Sequence, residues 1–138
     1  MMQADLIARL RADATLTALL GAKSSRSAID WVARPIAAAL PSVTLNEIMA
    51  QPIYTMAGEA DNSSALIQVD VWSDDVLAGV LALDRITLLL ATDATQGSTY
   101  FCRAFLSSGP RNMNVADLPG GATVHHRTAD FQFYHRPN

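Results

Sequence analysis

Between Leu66 and Leu90 the chain changes its hydrophobic period. Ile67, Gln68, Val69, Asp70 and Val71 alternate apolar and polar, the period of a half-buried strand. After Trp72-Ser73-Asp74-Asp75, residues Val76, Val80, Leu83, Ile86 and Leu90 recur at helical spacing, as do Leu77, Leu81 and Leu88. This predicts a helix that packs on a sheet through a broad apolar face. Ser73 or Asp74 is the expected N-cap, with the acidic pair at the positive end of the helix. The pattern fades near Asp93 and is over by Gly97.

The same reading applied upstream predicts an amphipathic helix over residues 3–11. Leu6, Ile7 and Leu10 form its apolar face, and Arg9 and Arg11 are polar positions. Asp13 is placed to cap a second short helix that runs to Leu20 and stops at Gly21. A polar loop, 23–27, precedes a short strand at 29–32, and a further strand is expected at 43–48. Residues 52–64 hold Gly58, Glu59, Asp61, Asn62 and two serines, a long mobile loop or hairpin arm. A strand follows at 65–72.

Downstream of the long helix, residues 99–106 read as one strand. Tyr100, Cys102, Ala104 and Leu106 share one face, and Phe101, Arg103 and Phe105 share the other. Residues 107–121 read as a loop, and 123–135 as a last strand with Ala129, Phe131 and Phe133 on one side. Strands cluster and helices segregate. The expected class is α+β: one small domain over 1–138, with a largely antiparallel or mixed sheet of about four to five strands and helices mainly on one face.

Composition narrows the classes of function. The chain has 138 residues and a formal net charge of −3, which gives no long-range attraction for nucleic acid. Half the residues are apolar and only 17% are charged. So sparse a charged surface implies apolar patches that meet a partner, hence an oligomer or a part of an assembly. The lone Cys102 excludes an internal disulfide and is expected to be a buried thiol. The apolar stretch 76–90 is too short, and too charged at Asp84-Arg85, to span a bilayer. The amino-terminal residues lack the shape of a signal peptide. A cytoplasmic protein, or one built into something assembled there, is the expectation.

Chemistry finds little to hold. His125 and His126 are adjacent in a predicted strand and point to opposite faces, and His135 is distant, so no metal site is expected. Asp74-Asp75 reads as a helix start rather than an acid/base pair, and Leu118-Pro119-Gly120-Gly121 reads as a turn. No nucleophile motif or phosphate-binding loop stands out. Neither an enzyme nor a cofactor is expected.

Four segments taken in order resemble the tail-completion, or tail-terminator-like, family of long-tailed bacteriophages and gene transfer agents. They are ADLIARLRADATLTALLG, ALPSVTLNEI, ALIQVDVWSDDVLAGVLALDRITLLL and TADFQFYH. Val69-Asp70-Val71-Trp72 with the helix after it is the most specific part. Ser42 follows the Leu-Pro where that family often has an aromatic residue, and 26–36 fits loosely.

The resemblance implies a structural virion protein. It would cap the completed tail tube as a ring, typically of six subunits, at the head-proximal end. It would stop tube growth and dock onto the head connector while DNA passes through its centre. Implied partners are other copies of the chain, the tail tube protein and a head-closure or connector protein, with assembly in the host cytoplasm and no membrane. The expected partner-binding residues are Tyr54, Met56, Glu59 and Asp61 on the arm, with Arg103 and Arg127. For the arginines, with Arg111 and Arg136, a solvated face is the default, and the alternatives are lining the channel or pairing with acids next door. Two rival readings are a head-closure ring protein and a small ligand-binding α+β domain.

Overall fold

The structure is a computed structural model and describes residues 2–20, 22–23, 26–27, 29–31, 41–113, 116–117 and 123–137. Two helices open the chain. α1 spans Met2–Arg11 and α2 spans Ala14–Leu19, with Asp13 at its N-cap accepting from the Leu16 amide at 2.9 Å. A small hairpin follows, in which β1 (Ala22–Lys23) pairs with β2 (Arg26–Ser27). Strands thus enter the stretch expected to be a loop, and Ser24 and Ser25 lie outside the described residues.

β3 (Ile29–Trp31) pairs in parallel with the start of β4 (Ser42–Thr55). β4 then forms a long antiparallel hairpin with β5 (Gly58–Ser73). Residues 52–64, expected as a loop or an arm, are the distal part of this hairpin. Gly58 has φ 115°, a left-handed value that favours glycine just past the turn. β4 is shifted in register between Glu47 and Met49 and again between Pro52 and Tyr54. Such bulges bend and twist a ribbon.

α3 spans Val76–Leu90. Its N-cap is Asp75, one or two residues later than expected, because Ser73 still pairs with His125 at the end of the sheet. The buried side of α3 is Gly79, Ala82, Leu83, Ile86 and Leu90. Leu77, Leu81 and Leu88 were expected to pack; they face solvent instead, since the sheet lies on the opposite side of the helix. α3 also ends at Leu90, earlier than the fading pattern suggested, and 94–96 is already a strand.

β6 (Ala94–Gln96) pairs with β7 (Thr99–Phe101), and the expected single strand 99–106 breaks after Phe101. The amide of Cys102 donates to the Tyr134 carbonyl, that of Arg103 to Asp93 Oδ1 and that of Ala104 to the Leu90 carbonyl. These bonds turn the chain, so Phe101 is buried while Phe105 is exposed. β8 (Phe105–Asn112) and β9 (Ala116–Asp117) then occupy stretches read as loop, despite Gly109 and Pro110. Both pair with β10 (Thr123–Pro137). Leu118 to Gly121, read as a turn, lie outside the described residues.

Among the described residues the result is an eight-stranded mixed sheet in the order β3-β4-β5-β10-β7-β6, with β8 and β9 also on β10. Four to five strands were expected. Short strands of two or three residues have no readable period, and β8 carries turn-forming residues. One core joins Leu6 and Leu10 of α1, Leu16 of α2, Leu83 and Ile86 of α3, and the sheet residues Ile67, Val69, Val71, Ala129, Phe131 and Phe133. Arg9, expected on a polar face, is buried at the rim of this core with Phe101 beneath its guanidinium at 5.6 Å.

Candidate assembly surfaces

Three exposed apolar surfaces follow from this architecture. The first is the hairpin. β10 accompanies β5 only from Ser73 to Ser63, and β3 accompanies β4 only as far as Leu45. Gly58 to Asn62 of β5 and their β4 partners therefore extend about 17 Å past the last β5–β10 pair as a two-stranded arm. Tyr54 is 69% exposed, and Met56 at the turn is fully exposed. Ile48 and Met49 are exposed nearer the base. An isolated two-stranded ribbon is marginal in water, which makes this arm a surface that gains from being covered.

The second surface is the outer strand β8, where Phe105 and Leu106 are exposed. The third is the outer side of α3, with Leu77, Leu81 and Leu88. These residues stand about one or two helical turns apart on one stripe, interrupted by the exposed Asp84.

The sheet face away from the helices is polar. Its centre is a cluster around Asp70, which is nearly buried. His126 Nε2 lies 2.7 Å from Asp70 Oδ1, and Gln68 Nε2 donates to the same carboxylate at 2.9 Å. Trp72 stacks on the His126 ring at 3.9 Å between centroids, and its Nε1 donates to Thr44 Oγ1 at 3.1 Å. These partners lie on neighbouring strand positions, so the cluster ties β4, β5 and β10 together. Sequence reading weighed His126 as a metal ligand and as part of a polar run at an exposed or interface-facing strand end; its pairing with Trp72 depended on register across more than fifty residues.

Two recesses exist. One, of about 200 Å³, lies between the start of α3 and β10, lined by Ser73, Val76, Gly79, His125 and Arg127 among others. The other, of about 300 Å³, lies at the base of the arm beside Glu47, Pro52, Ser63 and His135. Burial pushes the His135 imidazole below its ordinary pKa, against the opposing pull of Glu47. Among the described residues no group of three or more His, Cys, Asp and Glu could hold a metal ion. No described helix is long and apolar enough to cross a membrane. Cys102, expected to be buried, is half-buried where the chain turns out of β7.

The residues singled out from the sequence fall into separate places. Tyr54 and Met56 sit together at the arm tip. Glu59 pairs with Tyr54 along the backbone and Asp61 follows on β5; their side chains lie outside the described residues. Arg103 is exposed where the chain leaves β7, beside Tyr134. Arg127 is half-buried and donates to Asn112 Oδ1 at 2.9 Å. Seven positions of β10 separate Arg127 from Tyr134, about 23 Å, so the two arginines do not form one site.

The family model described as Tail completion protein gp17 matches residues 4–106. A chain of the "Virion of native gene transfer agent (GTA) particle" superposes with a TM-score of 0.62 at 20% identity, covering 99% of this chain and 93% of that chain. Another solved structure matches with a TM-score of 0.52 at 11% identity, over the same shares of each chain. No curated protein matches.

Proposed function

This chain belongs to the Tail completion protein gp17 family, and from that premise we propose that it closes the finished tail tube as a ring of identical subunits. The ring stops further addition of tube protein and presents the surface that meets the head connector. Six subunits are the stoichiometry carried over from the family resemblance. DNA passes through the centre without base-specific contact, and the reading assigns no catalysis or cofactor. The head-proximal end of the tail is the location, with assembly in the host cytoplasm.

The observation that carries the proposal is the β4–β5 arm. A subunit that must hold neighbours and also face a tube and a connector needs several contact surfaces on a small domain. The chain has an apolar-tipped arm, an exposed outer strand and an exposed leucine stripe, on different sides of one core. The two recesses, by contrast, are small or shallow for an enclosing ligand site.

Electron microscopy of lysates tests the proposal, with the gene disrupted in the phage or prophage that carries it. Overlong or frayed tails lying apart from DNA-filled heads are the expected result. Tails of normal length beside emptied heads would reassign the chain to head closure. Normal infectious particles would overturn the virion reading.

A further inference from the structure

Two of the exposed apolar surfaces match in size. Leu77 to Leu88 span about 16 Å of α3. The arm runs about 17 Å past the last β5–β10 pair. A two-stranded ribbon and a helix are also of similar width, each about 10 Å. Their chemistry matches as well. The stripe offers Leu77, Leu81 and Leu88, and the arm tip offers Tyr54 and Met56. Asp84, set within the stripe and exposed, is an acceptor, and the Tyr54 hydroxyl is a donor for it.

One molecule cannot join its own two surfaces. α3 starts just after Ser73, where β5 ends. The carbonyl of Leu90, its last residue, accepts from the amide of Ala104. Two residues earlier, the amide of Cys102 donates to the carbonyl of Tyr134, the cross-strand partner of Ser64. α3 therefore lies along the stretch of β5 between Ser64 and Ser73, and the arm projects the other way, past Ser63. The leucine stripe also faces away from the sheet. To cover it, the arm would have to fold back around the end of its own helix.

Pairing like with like leaves one surface in water. Stripe on stripe buries three leucines per copy and leaves the arm bare; tip on tip buries Tyr54 and Met56 and leaves the stripe bare. A stable interface takes about 20–30 residues a side, so neither pairing holds two copies together. The crossed contact covers both surfaces, and each copy makes it twice, once with its arm and once with its stripe.

We infer that the arm of one subunit lies across the α3 leucine stripe of the next, with Tyr54 and Met56 against Leu77, Leu81 and Leu88. Donor and receiver are different surfaces, so the contact runs head to tail and closes into a ring when the rotation permits. The inference rests on the ring reading and assigns part of its lateral contact. Glu59 and Asp61 of the arm have the same sign as Asp84 of the stripe, so screening favours the contact. Association is expected to hold or strengthen as salt rises, and association lost on adding salt would overturn the assignment.

Disulfide trapping tests it directly. The full chain carries Tyr54→Cys and Leu81→Cys, with Cys102→Ala to remove the native thiol. Tyr54 and Leu81 are exposed and outside the core, and circular dichroism checks the fold. Mild oxidation followed by a non-reducing gel is expected to show a ladder of trimers and larger species. A control that pairs Tyr54→Cys with Ser107→Cys, at an exposed position of β8, is expected to give none. An equal ladder from the control would overturn the contact. So would an absent ladder while the wild type assembles in sedimentation, or an arm cysteine that links in whole tails to the tube protein and never to the stripe; both leave the ring standing. A ladder that stops at dimers would keep the contact and overturn the ring, since two copies would then exchange arms. A wild type monomeric at every concentration, with no ladder from the variant, would overturn both.

Discussion

Arg9 Nη2 donates to the carbonyl of Leu89 at 2.7 Å, and the same nitrogen reaches the Thr92 carbonyl at 2.9 Å. The first helix of the chain thus supplies the cap for the last turn of α3, whose terminal carbonyls lack partners within the helix. Burial lowers the guanidinium pKa and Asp93 opposes that shift. Replacing Arg9 with Met keeps most of the stem but takes its donor from the Thr92 carbonyl and leaves the Leu89 carbonyl with only the Thr92 hydroxyl. A loss of about 2–4 kcal/mol is expected, read by urea unfolding. A loss below half of that would show that water replaces the guanidinium.

Gly97 sits at φ 58°, and an added Cβ would collide with Oδ1 of Asp5. That carboxylate also accepts from Thr99 Oγ1 at 2.6 Å and Ser98 Oγ at 3.0 Å, so it is not free to swing aside. Gly97→Ala should lower stability by about 1–2 kcal/mol through the left-handed backbone alone, with the collision added. Thermal unfolding measures it, and an unchanged midpoint would refute the account.

Acid should lower the stability of the protein over two separate pH ranges. His135 has a depressed pKa when folded, so the unfolded chain binds its proton more readily. Stability from this group is full above about pH 6.5 and declines as pH falls through the folded value. Asp13 is held below its ordinary range, first by hydrogen bonds from Arg85 at 2.8 Å. Its contribution is full above about pH 4 and is lost on further acidification. Unfolding free energies measured from pH 7 to pH 3 should show both declines. His135→Gln should flatten the upper one and Asp13→Asn should reduce the lower.

Tyr54→Ser with Met56→Ser removes the exposed apolar tip of the arm. Neither side chain is in the core, so stability should change by no more than about 0.5 kcal/mol. Self-association should nevertheless weaken at least tenfold, measured by sedimentation. Unchanged association would confine the contact to the base of the arm.

Periodic segments were legible in the sequence: α1, the capped α2, the strand centred on Val69, α3 and β10. The family was legible too, because it rests on the order of such segments. β8 was missed because Gly109 and Pro110 signal a turn, while pairing with β10 overrides that preference. The exposure of Leu77, Leu81 and Leu88 was missed because α3 is apolar nearly all round, and period alone does not say which side meets the sheet. Arg9 read as polar surface because its partners, Leu89 and Thr92, lie eighty residues away.

β10 comes last in sequence among the strands and yet lies inside the sheet, between β5 on one side and β7, β8 and β9 on the other. During synthesis the β4–β5 hairpin emerges early and can zip locally on a microsecond timescale. The inner edge of β5 must then wait while some fifty further residues leave the ribosome. Throughout that interval Ile67, Val69 and Val71 lack their permanent neighbour. The nascent chain is thus most prone to mispairing before β10 arrives, and a chaperone that shields β5 would act in that window.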